Sequence, residues 1–165
     1  MHKLFLNLAA MAALCLASLV SLASLANASD VMVSGAYARA SAFSAAKSGA
    51  VYLTLMNHGA SPDRLIAVKS PAADRASLHQ TIEENGVARM QPVTAVDLAP
   101  GASVELAPNG THVMLMGLKA PLKKGESVKL TLVFERAREL DVDVPIGDVA
   151  AMGMDHSGHS GASGN

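Results

Sequence analysis

Short apolar runs, each stopped by glycine, proline or asparagine, recur along this chain from residue 31 to residue 144. That rhythm limits the fold more than any other feature. The runs cover residues 31–40, 49–57, 64–69, 77–82, 87–93, 103–106, 111–118, 127–135 and 139–144. Each is too short for a typical helix, and most are rich in Val, Leu, Ile, Thr or Tyr, the residues that suit a pleated, half-buried surface. Many short strands at regular spacing give an all-β sandwich or Greek-key barrel. The stretch 41–48 is a loop of small residues, and no internal repeat is present. With no tryptophan and only Tyr37, Tyr52, Phe43 and Phe134 as aromatics after residue 28, the core is expected to be built from Val, Leu, Ile, Ala and Met.

The two ends of the chain read differently from this middle. Residues 1–28 have the form of an export signal: Lys3 near the start, a long apolar run, then Ala26-Asn27-Ala28 as a small-x-small cleavage site. The run is long enough to span a bilayer, but the cleavage pattern followed by polar Ser29-Asp30 favours removal. The mature chain, expected to begin at Ser29, then has no membrane span and lies in the periplasm. Cys15, the single cysteine, falls inside this segment, and Leu14 before it is larger than a lipid-attachment site requires. Residues 29–146 form the expected domain. Residues 147–165 are mostly Gly, Ala and Ser and read as a disordered tail, in which Met152, Met154, Asp155, His156 and His159 stand out.

These boundaries exclude several functions. A mature chain without cysteine has no disulfide, no CxxC redox pair, no cysteine nucleophile and no thiolate-bound blue-copper centre. With Lys3 removed from the 13 basic residues, 12 stand against 14 acidic ones, a formal charge of −2. No basic run or aromatic-studded basic face points to nucleic acid. No Ser/His/Asp order, paired-carboxylate motif or HExxH pattern points to an enzyme.

Chemistry instead gathers on the run Thr111-His112-Val113-Met114-Leu115-Met116-Gly117-Leu118, which follows the turn Pro108-Asn109-Gly110. On a strand, His112, Met114 and Met116 share one face while Val113 and Leu115 take the other. An imidazole and a thioether two residues apart can hold one metal ion, and thioether sulfur favours Cu(I) over hard divalent ions. A second pair comes from a hairpin. Asn85-Gly86 is a two-residue turn signal that sets Glu84 opposite Val87, Thr81 opposite Met90 and His79 opposite Pro92. His79 and Met90 are then diagonal neighbours on one face, about 7 Å apart along the backbone. A one-residue bulge would break this parity. Methionine on a strand is more often packing than ligand, and Met116 is expected to be core. Met56 and His58 make another Met-x-His pair where a strand enters a turn, outside this set.

The spacing His79-x10-Met90-x21-His112-x-Met114 resembles the PCu(A)C family of periplasmic copper chaperones. So do the stretches Ala36-Tyr37-Ala38-Arg39-Ala40, Tyr52-Leu53-Thr54-Leu55-Met56-Asn57 and His112-Val113-Met114-Leu115-Met116-Gly117-Leu118. Gln80 and Ala88 depart from methionines common in that family, but the four matched positions are intact. The resemblance implies a cupredoxin-like Greek-key fold and a His2Met2 Cu(I) site made by His79, Met90, His112 and Met114. It also implies delivery of copper to the CuA subunit of cytochrome c oxidase, with Sco-type proteins as partners. Periplasmic copper storage or tolerance, without a dedicated client, would use the same site. In the tail, Met152, Met154, His156 and His159 point to a flexible second copper site, histidines suiting Cu(II) and methionines Cu(I).

Overall fold

The computed structural model describes residues 30–150. Ten strands account for its regular structure: β1 (Val31–Arg39), β2 (Ser48–Asn57), β3 (Asp63–Lys69), β4 (Ala73–Glu84), β5 (Val87–Pro92), β6 (Val96–Leu98), β7 (Ser103–Leu106), β8 (Thr111–Leu118), β9 (Ser127–Phe134) and β10 (Leu140–Gly147). No helix occurs among the described residues. The strands are linked in the order β5-β4-β8-β2-β1-β10-β9-β3-β6, with β7 pairing β2 off this path. All pairings are antiparallel except β1 with β10, which is parallel. The expected all-β class is therefore the observed one.

Alternation decides what is buried. Leu53 and Leu55 of β2, Val113 and Leu115 of β8, Leu130 and Leu132 of β9, Leu65 of β3 and Val144 of β10 are all at most 1% exposed and form one apolar cluster. Their strand neighbours Lys129 and Asp143 point to solvent, where they approach each other at 3.5 Å. Two buried polar residues tie loops to this core. Asn57 donates from Nδ2 to the carbonyls of Ser61 (2.9 Å) and Leu98 (3.1 Å) and accepts from the Gly59 amide at 2.9 Å. The Asp63 carboxylate accepts from the amides of Arg64 (2.7 Å), Arg136 (3.0 Å) and Ala137 (2.8 Å), which closes the β9–β10 connection.

The structure corrects the sequence expectation in four places. Strand β4 begins at Ala73, four residues before the predicted start, because pairing with β8 (Ala73 to Leu118, Arg75 to Met116) carries it through charged Asp74 and Arg75. Strand β6, absent from the predicted runs, is only three residues long; Val96 and Leu98 are buried on either side of exposed Asp97, and its pairing partner is β3. Strand β10 continues through Pro145 to Gly147. The Ile146 amide donates to Glu126 on the β9 side, so Pro145 sits at a position that owes no hydrogen bond to β9. Met116 is only partly buried and lies outside the core cluster, opposite Arg75 and Ser48.

One irregularity positions the site. The β1–β2 register shifts by one residue between Ser34 and Tyr37, at Gly35 with φ 57°. Such a bulge reverses the facing of every later residue on its strand. Ala38 therefore turns into the core, fully buried, while Tyr37 and Arg39 join Tyr52 on the opposite face.

Candidate metal centre

The floor of the site is β8. Val113 and Leu115 anchor it in the core, which fixes His112 and Met114 on the other face. His112 is only 3% exposed, and its Nδ1 lies 3.1 Å from the Gly110 carbonyl oxygen. A carbonyl only accepts, so this bond requires the proton on Nδ1 and leaves the Nε2 lone pair free for a metal.

Strand β4 supplies the next residue. In the β4–β8 ladder His79 stands directly opposite His112 and Ser77 directly opposite Met114, with the two imidazole centroids 6.5 Å apart. Both β4 side chains carry a buried polar atom, His79 Nδ1 and Ser77 Oγ, that has no hydrogen-bond partner. Buried polar atoms are normally paired, and each orphan costs about 1–3 kcal/mol. Two orphans side by side next to a histidine and a methionine fit a place that a bound ion would complete.

The β4–β5 hairpin brings in Met90. Asn85 (φ 53°) and Gly86 (φ 76°) form a turn with both central residues left-handed, the geometry favoured by two-residue hairpins. The register follows as expected, Glu84 to Val87, Thr81 to Met90 and His79 to Pro92. Strand β5 ends the strand order, and all six of its residues are exposed, Met90 at 53%. Thus four strand positions, on three adjacent strands, bring His79, Met90, His112 and Met114 onto one face.

A cleft of about 670 Å³ opens on this face. Met90, His112 and Met114 line it together with Thr81, Tyr52 and Arg39; His79 lies beside it without lining it. Tyr52 and Arg39 were not singled out as site residues from the sequence. The Tyr52 ring lies 6.1 Å from the His112 ring and 5.0 Å from the Tyr37 ring, and the Arg39 guanidinium sits 5.3 Å from the Tyr52 centroid. Burial pushes the Tyr37 hydroxyl above its usual pKa, against the lowering influence of Arg39. The signal that leads to Arg39 and Tyr37 is Gly35, since a glycine inside a strand marks a bulge and with it a change of facing.

The donor set is neutral imidazole and thioether. Among the described residues no group of three or more His, Cys, Asp or Glu is arranged to hold a metal, so a hard divalent ion would find no oxygen cage here. The side chains on this face offer imidazole nitrogens and thioether sulfurs, the donor types that suit a soft monovalent ion. Met152, Met154, His156 and His159 lie outside the described residues.

A family model described as "Putative lipoprotein LpqE-like" matches residues 31–146, all but the last residue of the strand-forming region. The chain belongs to the LpqE-like family. It is 34% identical over 110 residues to "Putative lipoprotein Lxx21020" of Leifsonia xyli subsp. xyli (strain CTCB07), covering 66% of each chain. It is 30% identical over 98 residues to "Uncharacterized protein RP573" of Rickettsia prowazekii (strain Madrid E), covering 59% of this chain and 54% of that one. In both cases the match spans less than two thirds of the relative. Among solved structures, this LpqE-like chain is similar to the copper-bound PCuAC domain from PmoF2. That similarity has a TM-score of 0.62 at 27% identity and covers 73% of this chain and 96% of that one. The apo PCuAC domain from PmoF1 gives 0.61 at 31% identity, covering 72% and 94%. Apo-DR1885 from Deinococcus radiodurans gives 0.52 at 33% identity, covering 74% and 82%. The fold is thus that of the PCuAC domains, cupredoxin-like and all-β.

Proposed function

We propose that this protein is a periplasmic copper carrier that binds Cu(I) through His79, Met90, His112 and Met114. The observation that carries this reading is the facing pair of histidines: one ring nitrogen of His112 is freed by its tautomer, and His79 holds an orphaned buried nitrogen beside it. Support comes from the structural relatives, one a copper-bound PCuAC domain and another described as CuI-DR1885, the latter with a TM-score of 0.50 at 31% identity. The role is binding and transfer, without turnover. Four neutral ligands leave the complex its single positive charge, and thioethers exchange more readily than thiolates, which suits handing copper on.

The client is the CuA site of cytochrome c oxidase, with Sco-type proteins as partners. The export segment is residues 1–28, cleaved after Ala28; export, though not this cleavage site, is in keeping with a Leifsonia relative whose name describes a lipoprotein. Tail residues Met152, Met154, His156 and His159 capture Cu(II), and external reductant converts it to the Cu(I) that the β domain holds. Deleting the gene should lower oxidase activity under copper limitation, and restoring it as His112→Ala/Met114→Ala should not rescue. Normal oxidase activity with sensitivity to high copper would instead establish storage or tolerance. Truncation after Gly147 should abolish Cu(II) binding and spare Cu(I) binding; retained Cu(II) affinity would remove the tail from the scheme.

A further inference from the structure

The sheet face that carries the cleft continues along β2, past Tyr52 and Thr54, to Met56. In the β1–β2 ladder Met32 stands directly opposite Met56. The same register runs beyond the strand ends, where the His58 amide donates to the Asp30 carbonyl at 2.7 Å, so Asp30 stands opposite His58. Residues two apart on a strand share a face. Asp30, Met32, Met56 and His58 therefore make a block of four at one end of the sheet. The residues between them, Val31 and Asn57, are 3% and 1% exposed, whereas Met32 is 58% and Met56 37% exposed. Two thioethers in register on a solvent face contribute nothing to the core cluster, so packing does not account for the pair.

The geometry suits a shared ion. Cross-strand partners that exchange hydrogen bonds lie ~5.5 Å apart at Cα, a separation that two flexible unbranched side chains can close onto one ion. His58 is the diagonal neighbour of Met32, at ~7–8 Å. The turn bearing His58 is held by Asn57, whose buried side chain bonds Ser61, Leu98 and Gly59. Asp30 lies against that same turn: a Cβ built on Gly59 would come within 2.9 Å of its carboxylate.

We propose that Met32, Met56 and His58 form a second site for a soft monovalent metal ion, Cu(I) or Ag(I), with Asp30 accepting the remaining ring N–H of His58. Metal-bound imidazoles commonly donate their other nitrogen to such a carboxylate, which fixes the ring. Met56 lies six steps along β2 from Ala50, the partner of Met114, which is about 20 Å of strand. The two sites cannot share an ion. This inference takes the identity of the cargo from the proposed function; its geometry is independent of it.

The test is a titration of the full chain with Ag(I) against a chromophoric competitor. Met32→Leu/Met56→Leu removes both sulfurs while nearly conserving volume at exposed positions, so the fold is not at risk. That variant should lose one equivalent of tightly held Ag(I), His112→Ala/Met114→Ala should lose a different one, and the combination should lose both. His58→Ala should weaken only the first equivalent, by about tenfold or more. Unchanged stoichiometry in Met32→Leu/Met56→Leu would overturn the second site, and an unaltered affinity in His58→Ala would remove the histidine from it. Loss of an equivalent in Met32→Leu/Met56→Leu but not in His112→Ala/Met114→Ala would uphold the second site and contradict the proposed function.

Discussion

Strands β8 and β5 each bring methionine to the same face, yet they are opposite kinds of strand. Strand β8 lies between β4 and β2, with Val113 and Leu115 fully buried and His112 almost so. Strand β5 is an edge with every residue exposed, joined to the body only through β4. One half of the site is built into the core, and the other half rides on an arm. A carrier needs both. On the proposed function, the fixed half would set the ligand geometry before the ion arrives, and the open half would let a partner displace one ligand and take the ion.

The contrast can be broken from either side. The largest effect is expected at His112: replacement by alanine should weaken Cu(I) binding by about 100-fold or more, measured by competition with a chelator. Met90→Ala should cost less affinity, about tenfold, and show chiefly as faster transfer to an acceptor in stopped flow. Equal losses for the two would mean that arm and floor are equivalent. For the fold the order is sharper still. Leu115→Ala should destabilise the protein by about 2–5 kcal/mol in chemical denaturation, whereas Val87→Thr on β5 should stay within about 0.5 kcal/mol. Smaller again is the turn. Gly86 sits at φ 76°, so Gly86→Ala should cost about 1 kcal/mol, loosen the arm and lower Cu(I) affinity a few-fold without changing the His112 environment. Amide exchange should be fast along β5 and slow along β8, with Cu(I) protecting β5 most.

How much of this was visible in the sequence follows the same division. The hairpin register could be read from Asn85-Gly86 because a two-residue turn leaves no freedom in the pairing. The facing of His112 and Met114 could be read because Val113 and Leu115 are unambiguous core residues. What could not be read depends on partners distant in the chain. The facing of His79 and His112 across two strands is set by the β4–β8 ladder, between segments more than thirty residues apart in the sequence. Arg39 and Tyr37 reach the site face only because the Gly35 bulge reverses the facing of β1. Strand β6, only three residues long, takes its pairing from β3. Met116 shows the limit of a composition rule: methionine on a strand usually packs, but here its strand partners are Ser48 and Arg75, and it stays partly open.

The proposed function puts one Cu(I) ion between the buried strand and the arm. The most direct measurement is NMR of the full chain with 13C-labelled methionine methyls, adding Cu(I) below one equivalent. The Met90 and Met114 methyls should shift together, before those of the other methionines, while Met116 stays in place. Shifts confined to Met152 and Met154, with Met90 and Met114 unmoved, would rule out binding between the two strands and leave the β domain as scaffold.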